Sequence, residues 1–253
     1  MVKRSIFILF YLFITLCLVS CAARLAERKS QAEAFRRLGE GYLAEGDATA
    51  ALRELLKAEE LYDKDHFLQN DLGLAYFAKA EFELAIAHFK KALKLKPDYS
   101  EALNNMGAVH LRLKQWDNAI ACFNRALDNL LYVNPYFALS NLGEAYRGKK
   151  DYDRAIDYYK KALEANPRFA TAHRGLGLTY IAMGNYKAAI SSLKKAVQHA
   201  PRFAVAYYDL GRAHAGKYNR EKAISAFEKV IELVPDSPLA DMALTEIRKL
   251  REY

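Results

Sequence analysis

The chain has 253 residues, of which 52% are hydrophobic and 27% charged, and it contains few glycines and prolines. This composition suits one extended helical domain. The formal net charge is +8, or +6 if Lys3 and Arg4 are removed with a leader. Much of this modest excess lies in lysine pairs at residues 90–91, 160–161 and 194–195. No stacking aromatics accompany these pairs, so the sequence does not predict a nucleic-acid partner.

Residues 1–20 have the pattern of a secretory signal peptide. Lys3 and Arg4 precede an uncharged run dominated by phenylalanine, isoleucine and leucine. A basic start followed by a compact apolar segment is typical of such signals. The run is also nearly long enough to span a bilayer, which leaves an uncleaved anchor helix as an alternative.

The end of this run, Leu18 to Cys21, resembles the bacterial lipobox, in which an aliphatic residue and two small residues precede a cysteine. The resemblance implies cleavage before Cys21 and acylation of its thiol and its new amine. One acyl chain holds a protein at a membrane only marginally, whereas two or three anchor it firmly. Ala22 stands where lipoproteins retained at the inner membrane commonly have aspartate. The resemblance therefore implies an outer-membrane lipoprotein facing the periplasm, with inner-membrane anchoring as the alternative.

Residues 21–31 are expected to form a short tether, which would reach about 35 Å if fully extended. Cys17 would leave with the signal and Cys21 would be lipidated, so the mature chain would keep one thiol, Cys122. No disulfide framework can then form. We expect Cys122 to be a small packing residue.

A pattern of about 34 residues recurs six times in the remaining chain. Its glycines are separated by 34, 34, 36, 34 and 34 residues, and an alanine follows each glycine twelve residues later. Within the clearest copy, residues 66–99, apolar residues fall at helical spacing on two stretches, which predicts two amphipathic helices. Small residues let the two helices approach closely, and the closing Pro97 ends the second helix. The six glycines are Gly39, Gly73, Gly107, Gly143, Gly177 and Gly211.

The spacing predicts repeats at residues 32–65, 66–99, 100–135, 136–169, 170–203 and 204–237, followed by a capping helix at 238–253. The third repeat has two extra residues within LDNLLYVNPYF. Two residues rotate a helix end by about 200°. We expect this joint to lengthen the helix or redirect the turn, and to split the array into halves.

The order of Leu72-Gly73, Tyr76, Ala85, Phe89, Ala92 and Pro97 resembles the tetratricopeptide repeat. The resemblance implies an all-α fold, a right-handed superhelix (α-solenoid) of six helical hairpins plus a C-terminal capping helix. It also implies that the first helices line a concave groove. No hairpin buries both faces alone, so each must pack on its neighbours.

The sequence contains no catalytic constellation. It lacks a His-Glu-x-x-His metal motif, a phosphate loop, a nucleophile elbow and a nucleotide-binding glycine motif. His110 and His214 occupy the position filled by tyrosine in other repeats. We therefore predict no enzyme activity, no cofactor, no metal site and no small-molecule substrate.

The resemblance also implies which positions line the groove and bind a protein or peptide partner. Apolar groove residues would receive side chains of the partner, and asparagines would pair with its main chain. The alternative is that the asparagines follow the repeat consensus and that the next repeat covers the aromatic rings. The groove residues are Phe67, Asn70, Leu74, Phe77, Asn104, Asn105, Leu111, Arg112 and Asn141.

A lipobox, a short tether, six repeats and an extended third repeat together resemble the type IV pilus biogenesis and stability lipoproteins, pilotins that act on the secretin channel. The resemblance implies a membrane-anchored scaffold that binds secretin subunits. The alternative is a general cell-envelope adaptor for cell-wall or export machinery. The sequence does not identify the partner, the oligomeric state or the half of the array that binds.

Overall fold

The computed structural model of the protein describes residues 2–252, and the side chains of residues 20–252. The side chains of the predicted signal peptide before Ser20 therefore lie outside the described residues. Throughout residues 2–252 the regular elements are thirteen α-helices, without a strand. The predicted all-α class, a solenoid of paired helices with a terminal helix, is confirmed.

The helices alternate between a first and a second member of each pair. Their bounds are α1 Val2–Glu45, α2 Ala48–Leu61, α3 His66–Ala78, α4 Phe82–Leu95, α5 Ser100–Arg112, α6 Trp116–Leu127, α7 Pro135–Gly148, α8 Tyr152–Ala165, α9 Ala170–Ala182, α10 Tyr186–His199, α11 Ala204–Gly216, α12 Arg220–Leu233 and α13 Pro238–Glu252.

The chain forms two compact units, Met1–Val109 and His110–Tyr253. In the first unit, α1 packs on α2, α2 on α3, α3 on α4, and α1 also contacts α3. Its core contains Leu55, Leu68 and Leu72, all almost fully buried, with Ala51 and Ala75 between them. Each helix thus buries its apolar face against both its own partner and the next pair, as a repeat array requires.

The second unit continues the same scheme. Successive helices from α6 to α13 pack on one another, and the first helices α7, α9 and α11 also contact in sequence. At its C-terminal end, α13 covers Phe227 and Val230 of α12 with Ala243 and Ile247. Met242, on the same helix, is 49% exposed.

In every repeat except the third, the helical pair closes where a glycine of the first helix faces a large side chain of the second. A methyl group placed on Gly73 would lie 2.5 Å from Cε1 of Phe89, and one on Gly143 would lie 2.8 Å from Cδ1 of Tyr159. Phe89 is fully buried and has no room to withdraw. The glycine is therefore required by the close approach of the two helices, because a larger residue would overpack the contact.

The turn within each pair has a residue of positive φ at the same position. Gly46 and Gly184 supply it without steric conflict, whereas Ala80 (φ 61°) and Tyr218 (φ 60°) adopt it with a side chain. In the second repeat the turn is closed by the Glu81 N–H, which donates to the Tyr76 carbonyl at 2.9 Å. This left-handed conformation is unfavourable for residues with a Cβ atom.

The two extra residues of the third repeat form a loop and do not lengthen a helix. α6 ends at Leu127 and is two residues shorter than α8, and the next helix begins at Pro135. The loop also does not divide the array, because α6 packs on α7 within one unit. The unit boundary lies instead at Val109, inside α5. The expected change of the turn is present, but the expected split at this joint is wrong.

α1 continues without a break through the predicted tether, residues 21–31, whose side chains are all exposed. Its first buried residue among residues 20–45 is Ala32. Across the described part of the chain, none of the helices has the combination of length and apolar character that crossing a membrane requires.

The close approach at Gly73 can be tested by adding one methyl group. Gly73→Ala should lower the free energy of unfolding by about 1–3 kcal/mol because the new Cβ atom would overlap the Phe89 ring. The matched control is Gly41→Ala in α1, where nothing lies within 4 Å of the added Cβ atom. This control should raise the free energy of unfolding by about 0.5–1 kcal/mol through helix propensity. Urea denaturation followed by circular dichroism measures both, and stabilisation of both variants would contradict the packing argument.

Candidate partner-binding surface

The predicted groove residues lie on first helices in both units. Phe67, Asn70, Leu74 and Phe77 are on α3, and Asn104 and Asn105 are on the part of α5 that belongs to the first unit. The second unit contains Leu111, Arg112 and Asn141. Exposure differs sharply among them. Asn70 is buried, Phe67 and Arg112 are exposed, and the others are half-buried.

Phe67 forms an exposed aromatic face at the start of α3. Its ring is 45% exposed and packs against two neighbours, with centroid distances of 4.0 Å to His66 and 5.7 Å to Tyr99. The guanidinium of Arg36 lies 5.5 Å from the ring centroid, within the range of a cation–π contact. Asp65 caps the helix by accepting a hydrogen bond from the Phe67 N–H. The ring is held in place while one side stays open to a partner.

The second unit repeats this arrangement seventy residues later. Tyr136, Phe137 and Phe169 correspond to His66, Phe67 and Tyr99. The Phe137 ring is 41% exposed and lies 4.5 Å from Tyr136 and 5.3 Å from Phe169. Sequence reasoning missed Phe137, although the offset of two repeats would have found it. Among the residues with described side chains, each unit thus presents one exposed phenylalanine supported by two aromatic rings.

The polar positions next to these rings are paired within the protein. Asn105 donates from Nδ2 to Oδ1 of Asn70 at 3.0 Å. The pair joins the fifth residue of one repeat to the sixth residue of the next. Arg36 and Asp71 occupy the same two positions one repeat earlier, with Nη1 of Arg36 3.1 Å from Oδ2 of Asp71. Because the two amides bond each other, less of their hydrogen-bonding capacity is left for a partner's main chain.

The second unit has a pair of the same kind. Nε of Arg174 donates to Oδ2 of Asp209 at 2.6 Å, and Nη1 of Arg212 lies 3.4 Å from Oδ1 of the same carboxylate. Asp209 is 3% exposed, so its charge is compensated by both arginines. Buried charges require such partners. These bonds link consecutive first helices and fix the spacing of the surface that the rings occupy.

Burial of Asp71 changes its acidity. Desolvation raises the pKa of this carboxyl from 3.8 to about 6, although the hydrogen bond from Arg36 opposes the shift. The pKa of Arg36 is raised: burial opposes the charged form, but the hydrogen bond to Asp71 and the nearby carboxylates outweigh it. The hydrogen bond from Arg36 thus favours the charged form of Asp71, whereas desolvation favours the neutral form.

Two further residues considered in the sequence analysis, Phe77 and His110, are partly covered by the protein itself. The Phe77 ring lies 6.0 Å from that of Phe82, so it is partly covered by its own hairpin. His110, which stands where other repeats have tyrosine, is half-buried, and its Nδ1 lies 2.7 Å from Oε1 of Gln115.

Over residues 20–252, no three histidine, cysteine or acidic side chains lie close enough together to hold a metal ion.

The loop of the third repeat exposes a second apolar feature. Leu130 is 97% exposed and Leu131 is 87% exposed. Tyr132, which lies between Leu131 and Val133 in the sequence, is only 9% exposed. The Leu131 N–H donates to Oδ1 of Asn129 at 3.0 Å. Tyr132 therefore anchors the loop, and the leucines project from it.

This architecture, with paired helices and aromatic side chains exposed on the first helix of a pair, defines an α-helical repeat scaffold of the kind that binds other proteins. The chain belongs to the tetratricopeptide-repeat family. Tetratricopeptide-repeat models match residues 98–168, 137–202 and 180–247, and a TPR-repeat model matches residues 73–114. Together the matches extend over residues 73–247, which is more than half of the chain.

Several solved structures share the fold. PilW, a widely conserved type IV pilus biogenesis factor, aligns with a TM-score of 0.74 at 23% identity, over 84% of this chain and 98% of PilW. PilF of Pseudomonas aeruginosa aligns with a TM-score of 0.69 at 23% identity, over 87% of this chain and 99% of PilF. YrrB, a TPR protein with an unusual peptide-binding site, aligns with a TM-score of 0.50 at 27% identity, over 76% of this chain and 97% of YrrB. No curated protein sequence matches the chain significantly.

The raised pKa of Asp71 predicts a pH dependence of stability. Between pH 3.8 and about 6 the folded protein keeps the Asp71 proton, whereas the unfolded chain releases it. The free energy of unfolding should therefore fall as pH rises through this window, by up to about 1.4 kcal/mol per pH unit.

Asp71→Asn removes the titration of this carboxyl, so the pH dependence that remains in the variant comes from the other titratable groups. The difference in unfolding free energy between the wild type and Asp71→Asn should change across the window and become constant above it. Urea denaturation at a series of pH values measures the difference. A difference that is constant from pH 3.8 to neutral would contradict the assignment.

Proposed function

We propose that the protein is a membrane-anchored, non-catalytic scaffold that binds protein partners on its first helices, and that it acts as a pilotin-like factor in the assembly of a type IV pilus secretin. The supporting observation is the alignment with PilW, which extends over nearly all of PilW and most of this chain. PilF supports the proposal in the same way. The aromatic faces at Phe67 and Phe137 supply apolar anchors, and partly exposed aromatic rings commonly dominate binding energy at such surfaces.

The proposed anchor is a lipid on Cys21, an exposed residue of α1. Residues 21–31 are helical here, so the first buried turn at Ala32 would lie only about 16 Å from the lipid. This segment is tied to the first hairpin, since Nη2 of Arg28 donates to the Glu60 carbonyl at 3.1 Å and Nζ of Lys29 lies 4.7 Å from the Tyr62 ring. Lipidation would therefore hold the first repeat close to the bilayer surface.

Residence at the outer membrane, facing the periplasm, is part of this proposal and rests on Ala22 after the cysteine. A pilotin must reach the membrane in which its secretin assembles. Retention at the inner membrane would leave the binding surface intact but would fit the adaptor function better.

A second candidate is a general cell-envelope adaptor for cell-wall or export machinery. The observation that favours it is the alignment with YrrB, whose identity of 27% exceeds the 23% found for PilW. YrrB has a peptide-binding site. An adaptor of this kind would bind short peptide segments from several proteins and would not require a secretin.

Substitution of the proposed lipidation site should abolish acylation of the protein. Cys21→Ser removes the thiol that would carry the diacylglycerol, so the protein should lose incorporation of labelled palmitate. The matched control is Cys122→Ser, which changes a buried thiol and should leave the labelling unchanged. Labelling of Cys21→Ser equal to the wild type would contradict the anchor.

The partner should depend on the aromatic faces. The lipidated protein is purified from detergent-solubilised envelopes, and the proteins bound to the wild type are compared with those bound to Phe67→Ala with Phe77→Ala. The pilotin function predicts that a secretin is recovered with the wild type and is lost with this variant, because truncating buried aromatic anchors typically weakens an interface by about 2 kcal/mol or more.

Phe137→Ala is the matched variant of the second unit, since its ring packing is equivalent. Loss of the secretin with this variant alone would assign binding to the second unit. Recovery of the secretin with all variants would contradict binding by the aromatic faces. Recovery of cell-wall or export proteins without a secretin would favour the adaptor.

A further inference from the structure

The first unit contains a cavity of about 300 Å³ between α1 and residues 62–68, which connect α2 to α3 and form the first turn of α3. Phe67 lines this cavity and is 45% exposed. On the α1 side the lining includes Lys29, which belongs to the predicted tether and precedes the first repeat. A residue outside the repeats therefore forms part of the surface that presents the exposed ring.

Two lysines on this cavity have no carboxylate partner. Among the described side chains, the ammonium groups of Lys29 and Lys64 form no ion pair within 4.0 Å. Nζ of Lys29 lies 4.7 Å from the centroid of the Tyr62 ring, and this ring also lines the cavity. The Lys29 ammonium group is thus held at the edge of the cavity without a compensating negative charge.

The other charged side chains on the cavity are already paired. Nη2 of Arg37 lies 2.6 Å from Oε1 of Glu33. Nε of Arg36 lies 3.6 Å from Oδ2 of Asp65, and the same guanidinium also pairs with two further carboxylates. Among the described residues that line the cavity, the two lysines are therefore the cations that remain for an anionic ligand.

The exposed ring of the second unit has no such cations in the segment before it. Residues 128–134, which precede the helix of Phe137, contain neither lysine nor arginine, whereas Lys64 stands three residues before Phe67. The two aromatic faces therefore differ in charge, although their ring packing is equivalent.

We propose that this cavity binds a protein segment in which a carboxylate side chain neighbours an apolar one. The apolar side chain packs on the Phe67 ring, and the carboxylate pairs with Lys29 and Lys64. Burial of apolar surface on the ring supplies affinity, and the lysines select acidic segments through an attraction that weakens with added salt. This inference deepens the proposed function, on which it rests for a protein partner, by naming the chemistry that the Phe67 face recognises.

The charges around the cavity favour a carboxylate over a phosphate group. The guanidinium of Arg36, whose planar fork suits phosphate, is occupied by carboxylates of the protein itself. Glu33 and Asp65 also line the cavity. They would repel a phosphate monoester more strongly than a carboxylate, because the monoester carries more negative charge.

The test measures the binding of short peptides to the full chain in micelles of a non-ionic detergent by isothermal titration calorimetry. The probe is Gly-Leu-Asp-Leu-Asp-Gly, acetylated and amidated so that its charges are those of the aspartates. One comparison peptide has asparagine in place of aspartate, and a second has serine in place of leucine. We expect saturable binding of the probe and at least about five-fold weaker binding of both comparison peptides. Glycerol 3-phosphate should bind much more weakly than the probe.

Charge variants of the protein connect binding to the cavity. Lys29→Gln with Lys64→Gln should weaken probe binding about five-fold, because two ion pairs are lost. The matched control is Lys90→Gln with Lys94→Gln, which removes the same charge from exposed lysines of α4 that do not line the cavity. This control should bind the probe like the wild type.

Two further variants test the ring and the sign of the charge. Phe67→Ala should weaken probe binding about ten-fold, whereas Leu84→Ala, which truncates an exposed side chain outside the cavity, should have no effect. Lys29→Glu with Lys64→Glu should lose the probe and bind instead a peptide with lysine in place of aspartate. A purely structural role of the two lysines would not produce this exchange. The helical circular dichroism of every variant should match that of the wild type.

The absence of saturable binding at millimolar probe would overturn the inference, as would wild-type affinity in the folded Lys29→Gln, Lys64→Gln variant or in folded Phe67→Ala. Equal binding of the asparagine or the serine peptide would contradict the paired recognition of charge and apolar surface. Binding of glycerol 3-phosphate as tight as that of the probe would assign the site to a phosphate ligand instead. These measurements involve no secretin, so recovery of a secretin without probe binding would contradict this site alone and leave the pilotin function standing.

Discussion

The contact between a glycine of a first helix and a large side chain of the second helix is the constraint on which the remaining structure depends. At Gly73 and Phe89, the ring occupies the space where a Cβ atom would stand. This approach brings the two helices close enough to bury Leu72, Ala75 and Ala85 completely. Burial of the ring and of these neighbours supplies the hydrophobic free energy that closes the hairpin. A larger residue in place of the glycine would overpack this contact and weaken the surface on which the next hairpin packs.

The surfaces available for binding follow from this packing. First helices that are spaced by their neighbours can be joined by short bonds, such as the one between Asn70 and Asn105. Residues at the start of a first helix stay open to solvent, which is why Phe67 and Phe137 are exposed although both are supported by two rings.

Much of the fold could be predicted from the sequence, because the period, the glycines and the alanines report directly on helix pairing. The candidate surface was less predictable. Asn70 was assigned to a partner because its repeat position faces the groove, but the sequence does not show that the next repeat places Asn105 at hydrogen-bonding distance. Phe137 was missed although it stands at the same repeat position as Phe67. The effect of that repeat also depended on tertiary packing. The two extra residues enter a loop anchored by Tyr132, and whether they would do so or extend a helix is decided by contacts distant in sequence.

The most direct test of the central claim is hydrogen exchange measured by mass spectrometry on the full chain under native conditions. If glycine-mediated pairing holds each unit together, the amides around Gly73 and Phe89 should exchange only through cooperative opening of the first unit, with the highest protection in it. The exposed helical segment at residues 21–31 should exchange rapidly, since it buries no side chain. Equal protection of the two segments, or rapid exchange around Gly73, would contradict the account.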